Sequence, residues 1–187
     1  MTYIALLRGI NVGGNKPIRM SQLAELCESL GFTNIRTYVQ SGNVIFDARE
    51  AIPGDIASKL EKVLQRRFGF EVKVFVRTPR ELSDIIAGNP LIRKRGIDRK
   101  KLHVTFLLTR TPLKTTAGLD VLKAANEMVV LKVEHIYLYC PNGYGKSKLS
   151  NPNIERKLRV VATTRNWNTV CALRDLAEGL QKGSTDE

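Results

Sequence analysis

The chain has 187 residues, enough for one ordinary domain or two small ones with a substantial core, and carries a formal net charge of +12 from 30 Lys and Arg against 18 Asp and Glu. Its three cysteines, Cys27, Cys140 and Cys171, are odd in number, far apart and without C-x-x-C spacing, which argues against a disulfide framework or a zinc cluster and fits a reducing cytoplasm. The opening MTYIALLRGI has only about seven residues of apolar character and no basic stretch ahead of it, so it is neither a membrane span nor a secretory signal but a buried first strand.

Tyr3 to Leu7 form a short continuous apolar run, the pattern of a strand covered on both faces, and the glycine-rich RGINVGGNKP breaks it. Leu23, Ala24, Cys27 and Leu30 recur at helical spacing, with Ser21 as the expected N-cap and Gly31 as the stop. IRTYVQ and VIFDA read as strands flanking a polar hairpin-type turn, Ser41-Gly42-Asn43. Ile56, Leu60, Val63, Leu64 and Phe68 trace a second helix ended near Gly69, and EVKVFV alternates like a strand. A helical stretch over about 79–87 leads into the basic run RKRGIDRKK, read as a connector. The order then repeats. KLHVTFLLT is a strand, and Leu119, Leu122 and Ala125 suggest a helix. EMVVLKV and HIYLYC form a strand pair, PNIERKL a short helix and VVATT a final strand, before a closing helix expected to be capped by Asn168.

Twice-repeated βαββαβ order predicts an α+β fold of two ferredoxin-like subdomains in tandem with a C-terminal helix. The boundaries expected are 1–90 and 102–187, joined by the connector 91–101. Right-handed crossovers fix strand directions. In the first half, residues 8–19 and the turn 41–43 then share one edge of the sheet; in the second, 141–151 and 164–168 share one. Residues 1–90 hold 12 basic against 9 acidic residues and 91–187 hold 18 against 9, an asymmetry that favours nucleic acid, a phosphorylated ligand or an anionic surface as partner.

Two nucleotide-loop readings fail on residue chemistry. Gly145-Lys146-Ser147 would need glycine at position 140, where Cys140 stands, and Pro141 has no N–H to offer a phosphate. Gly9 and Gly14 are correctly spaced, but Asn15 occupies the lysine position and Pro17 the Ser/Thr position. What survives is two glycine-and-asparagine loops with nearby Arg or Lys, each opening a helix, a setting favourable to anions and equally common as turn chemistry. ATTRNWN places Arg165 where it could grip a phosphate or carboxylate, while a lone Trp167 is more often a core anchor than a base-stacking ring. RKRGIDRKK has six basic residues in nine and no aromatic, so it is a solvated face or a sequence-independent phosphate contact. His103 and His135 sit in strands without a convincing nucleophile and define no triad. Cys140 shares the face of Ile136 and Leu138 and belongs to the core.

ALLRGINVGGNK, YVQSGNVIF, CPNGYGKSKLSN and ATTRNWNTV together resemble the domain of unknown function 1697 family, over residues 5 to 170. The resemblance implies a small cytoplasmic protein of ferredoxin-like subdomains and carries no established activity. The positions matching the family's motif loops are Arg8, Gly9, Asn11, Gly13, Gly14, Ser41, Gly42, Asn43, Asn142, Gly143, Tyr144, Gly145, Ser147, Lys148, Ser150, Asn151, Thr163, Thr164, Arg165, Asn166 and Trp167. They are donor-rich and lack Asp, Glu and His, which suits stabilising a negative oxygen better than acid–base or metal chemistry.

The expectation from these observations is a binder of a phosphate-bearing ligand, a nucleotide or a nucleic-acid backbone, at a composite site between the halves. Arg8, Lys148 and Arg165 would supply charge there. Asn11, Ser41, Asn43, Ser147, Thr164 and Asn166 would supply hydrogen bonds, and Tyr144 or Trp167 stacking. No catalytic residue, metal ligand or cofactor is assigned, no membrane partner is expected, and the oligomeric state is open. Two alternatives stay open: an enzyme acting on phosphate or acyl groups through Tyr144, Cys140 or Lys148, and loops that only staple the structure.

Overall fold

The computed structural model describes residues 1–112 and 117–183. The first strand, β1 (Thr2–Leu7), is buried along its whole length, as the continuous apolar run requires. It pairs antiparallel with β3 (Asn43–Asp47) on one side and β4 (Val74–Arg77) on the other, and β2 (Thr33–Thr37) lies outside β3, giving the order β2-β3-β1-β4. Helices α1 (Met20–Ser29) and α2 (Pro53–Phe68) bring Leu23, Cys27, Ile56, Leu60 and Leu64 into one core with Tyr3, Ala5 and Leu7. Pro53 opens α2, where its missing N–H costs nothing, and Gly69 ends it in the left-handed conformation at φ +77°.

Two local expectations shift, while the helix expected over about 79–87 stands. Helix α1 starts at Met20 rather than after Ser21: Arg19 is its N-cap, the Leu23 N–H bonds the Arg19 carbonyl at 3.1 Å, and the Arg19 N–H bonds Gln22 Oε1 at 3.3 Å. Strand β2 begins at Thr33, ahead of IRTYVQ, and ends before Val39, which sits at φ +50° and is 51% exposed. An edge strand of alternating polar residues has little apolar signal to announce it. Helix α3 (Pro79–Ala87) is set by a capping box, Thr78 Oγ1 accepting from the Glu81 N–H while Glu81 Oε2 accepts from the Thr78 N–H.

The second half repeats the plan. Strands β5 (Leu102–Leu107), β6 (Met128–Leu131), β7 (His135–Tyr139) and β8 (Ala162–Asn166) form an antiparallel sheet in the order β6-β7-β5-β8. Helix α4 (Ala117–Asp120) precedes β6 and α5 (Asn151–Leu158) precedes β8; Leu119, Ile154 and Leu158 pack with Leu107, Ile136, Leu138 and Cys140. The closing helix α6 (Trp167–Gly183) follows β8 directly. Its cap is Asn166, not Asn168: the Asn166 carboxamide oxygen accepts from the Asn168 N–H at 2.9 Å, because the helix begins at Trp167, two residues earlier than an Asn168 cap implies.

The two halves, alike in the sequence only in element order, also match in side chains at the last strand of each. Glu61 of α2 accepts the N–H of Val74, the first residue of β4, and Glu155 of α5 accepts that of Ala162, the first of β8. Arg77 and Arg165, each fourth in its strand, lie opposite the third residue of the first strand, Ile4 and Val104, and each bonds its preceding carbonyl.

The chain forms two compact units, Met1–Asp84 together with α6 from Ala172 onward, and Ile85–Cys171. Among the described residues there are six α-helices, none long and apolar enough to cross a membrane, and no group of three His, Cys, Asp or Glu placed to hold a metal ion.

Candidate functional site

In the second unit the segment after β7 is built around two anchors. Leu149 is fully buried, and the Tyr144 ring stacks on His103 of β5 with centroids 4.9 Å apart. The Tyr144 hydroxyl donates to Thr164 Oγ1 of β8 at 3.1 Å. Thr164 in turn donates to Asn151 Oδ1 at 2.6 Å and lies 2.8 Å from the Thr105 hydroxyl. Polar groups from β5, β8, α5 and the loop thus close one chain, and this contact brings 141–151 and 164–168 to the same edge, as strand direction requires. Burial pushes the Tyr144 phenol up and pulls the His103 imidazole down, so both are neutral at neutral pH.

Just ahead of the first anchor, Gly143 at φ +96° turns the chain into a 3₁₀ turn, Tyr144–Lys146. Ser147 Oγ accepts from the Leu149 N–H at 3.0 Å, and the Lys148 carbonyl accepts from Asn153 Nδ2 at 2.8 Å. The backbone is held while the Lys146 and Lys148 side chains stay exposed. Lys146, Ser147 and Lys148 line one wall of a cavity of about 210 Å³; Val121, Leu122, Lys123, Ala124 and Glu127 line the other. Glu127 is engaged, its Oε2 accepting from the Ala124 N–H at 2.9 Å, and Lys123 reaches Asp120 only at 3.9 Å. Three lysines and one glutamate among the lining residues, with Asp120 paired to Lys123 beside them, leave the cavity surroundings net positive. Lys146 and Lys123 were not in the set expected from sequence. Lys146 was passed over with the failed Walker loop, and nothing in GLDVLKAANE marks Lys123 before the turn after α4 places it.

Arg165 is 7% exposed, with Nη1 donating to Thr163 Oγ1 at 2.8 Å and to the Thr164 carbonyl at 2.9 Å. Burial lowers its pKa to about 10, which leaves it a cation at neutral pH. Asn166 is engaged on both sides, Nδ2 donating to the Lys100 carbonyl at 2.9 Å and Oδ1 capping α6. Trp167 is 2% exposed and serves as a core anchor, its ring faces covered. Cys140 is buried, its thiol pushed up to about 11 by desolvation against a smaller opposing hydrogen bond from Ser147, so it is no thiolate nucleophile.

In the first unit the other expected residues also come together. Asn11, at φ +55°, holds the loop after β1: Nδ2 donates to the carbonyls of Ile18 and Gln40 at 2.9 and 2.8 Å, and Oδ1 accepts from the Ile18 N–H at 2.8 Å. Asn43 is fully buried and donates to the Tyr38 carbonyl and Ser41 Oγ, both at 2.9 Å. The Leu7 N–H meets the Gly42 carbonyl at 2.8 Å, and the Arg8 N–H meets that of Lys73 at the same distance. Residues 8–19 and the 38–42 turn therefore meet at one sheet edge, with asparagine amides as the fasteners.

An α+β protein of paired four-stranded antiparallel sheets with asparagine-fastened, basic loop edges is the class these features define. The chain belongs to the family described as protein of unknown function (DUF1697), whose model matches residues 1–137. The matched span stops short of the GYGKSKLSN and ATTRNWNTV blocks. No curated protein matches the chain. The chain is similar in structure to the conserved bacterial protein SP0830 from Streptococcus pneumoniae, with a TM-score of 0.70 and 20% identity over 94% of this chain and 98% of that one. That likeness extends to the fold alone.

Proposed function

We propose that the second unit binds a phosphate-bearing ligand in the cavity between residues 121–127 and Lys146-Ser147-Lys148. The observation that carries this reading is the convergence of Lys123, Lys146 and Lys148 on one cavity of about 210 Å³. The charge of the chain supports it: Ile85–Cys171 holds 16 Lys and Arg against 5 Asp and Glu, net +11, which leaves 14 against 13 for the rest. Lysine ammonium groups act as mobile point charges suited to a phosphoryl group. The volume equals about seven waters at about 30 Å³ each, room for a phosphoryl group and a small attachment, with any nucleoside outside. Tyr144 fixes the loop from behind rather than stacking on the ligand, a role its contacts with His103 and Thr164 support.

The strand order of each sheet supports reading both units as ferredoxin-like. We place the protein in the cytoplasm, a reading supported by its three cysteines, none of which forms a disulfide. For the first unit's loops a second reading, structural stapling, is favoured by the full engagement of the Asn11 carboxamide. Calorimetric titration with inorganic phosphate and with a nucleoside monophosphate tests the binding reading. Saturable binding weakened at least about tenfold in Lys146→Gln/Lys148→Gln supports it, and undiminished binding in that variant overturns it.

A further inference from the structure

We infer that Arg93–Lys101 is a preformed ridge for the phosphate backbone of a nucleic-acid duplex, distinct from the lysine-lined cavity and independent of it. Arg93, Lys94, Arg95, Arg99 and Lys100 are exposed and Lys101 is half-buried. Among the described residues none of the six takes part in a salt bridge. The one acid in the segment, Asp98, is engaged with its own backbone, its Oδ1 accepting from the Lys100 N–H at 2.9 Å.

A solvated linker would leave its main chain loose, but this one is fastened at both ends. Leu91 just before it is fully buried, and the Lys94 N–H bonds the Leu91 carbonyl at 3.1 Å. Gly96 turns the chain at φ +78°. The Lys100 carbonyl accepts from Asn166 Nδ2 at 2.9 Å, and the Lys101 carbonyl accepts from the Cys140 N–H at 3.0 Å. Fixed backbone with free cationic tips is a preorganised arrangement, which reduces the ordering cost of binding. Nine residues reach at most about 30 Å, and a duplex presents about one phosphate charge per 1.7 Å of axis, so one duplex face can engage several of these side chains together. The segment carries no aromatic to stack on a base, which points to phosphate contact without sequence preference.

The test is fluorescence anisotropy of the full chain with labelled duplexes of about 20 base pairs, DNA and RNA, at about 50 to 200 mM salt. Five phosphates neutralised give a slope of log K against log salt of about −4.5, an affinity loss of about 500-fold over that range. Substituting Arg93, Lys94, Arg95, Arg99 and Lys100 with Gln should flatten the slope to near zero and weaken binding at low salt at least about thirtyfold. Because these exposed tips make no internal salt bridge among the described residues, that variant should keep its melting temperature and its phosphate titration at the cavity. Absence of saturable duplex binding at low salt, or equal binding by the Gln variant, overturns the inference. So does tighter binding to phosphatidylserine vesicles than to either duplex. Loss of phosphate binding at the cavity with duplex binding intact would count against the earlier proposal alone.

Discussion

Replacing Asn11 separates fastening from ligand binding. Its carboxamide makes three hydrogen bonds, to both backbone groups of Ile18 and to the Gln40 carbonyl, so Asn11→Ala removes all three and leaves the Ile18 N–H and carbonyl without that partner. At about 1 kcal/mol for each Ile18 bond and about half that for the more exposed Gln40 bond, the loss is about 2.5 kcal/mol. Holding alanine at φ +55° adds about 1 kcal/mol more. For a chain of this length the sum lowers the melting temperature by about 7–14 °C in a calorimetric scan. Asn11→Gly relieves the backbone term but not the bonds, and Asn11→Asp keeps only the acceptor bond to the Ile18 N–H, so all three variants are expected to be less stable with Ala the worst. Melting within about 2 °C of the parent for Asn11→Ala, combined with loss of phosphate binding, would refute the fastener reading.

Gly42 sits at φ +72°, and an added Cβ would lie 2.6 Å from Ile10 Cδ1 and 2.8 Å from Leu7 Cβ, so Gly42→Ala should cost about 2–5 kcal/mol in urea unfolding; a change under about 1 kcal/mol would contradict that geometry. Burial holds the folded His103 pKa below its ordinary 6.5, so the unfolded chain binds that proton first and stability falls as pH drops through about 6.5. His103→Gln should therefore melt with less dependence on pH than the parent between about pH 7.5 and 5.5, and identical pH profiles would sink this assignment. Cys27 and Cys140 are fully buried, their thiols pushed up to about 12 and about 11, so a thiol reagent at about pH 8 should modify at most Cys171 quickly in the folded protein and all three in denaturant. Rapid modification of Cys140 in the native state would restore it as a candidate nucleophile.

Element order was readable because the core strands and helices carry their periodicity plainly: TYIALL is buried at every position, and the α2 stripe of Ile56, Leu60 and Leu64 packs as its spacing demands. Strand direction carried further: residues 8–19 lie against the turn 41–43 where Ile10 packs on Gly42, and 144 meets 164 through their hydroxyls. Failures cluster where one residue type can serve two purposes. Asn166 and Asn168 are equally good caps on paper, and only the start of α6 at Trp167 decides between them. Val39 looks like a strand residue but leaves the sheet at positive φ. At residue level the likeness of the two halves was hidden because Glu61 and Glu155, or Arg77 and Arg165, become equivalent only once strand register is known. The cavity was missed for a related reason: Lys123 and Lys148 are separated by a strand pair, and no sequence pattern joins them.

The most direct test of the central claim is an amide NMR titration of the full chain with inorganic phosphate at constant ionic strength. Binding at the lysine-lined cavity predicts saturable shifts confined to residues 121–127 and 143–149, reduced at least about tenfold in apparent affinity by Lys146→Gln/Lys148→Gln. Linear, unsaturating shifts, or shifts centred elsewhere, would contradict it.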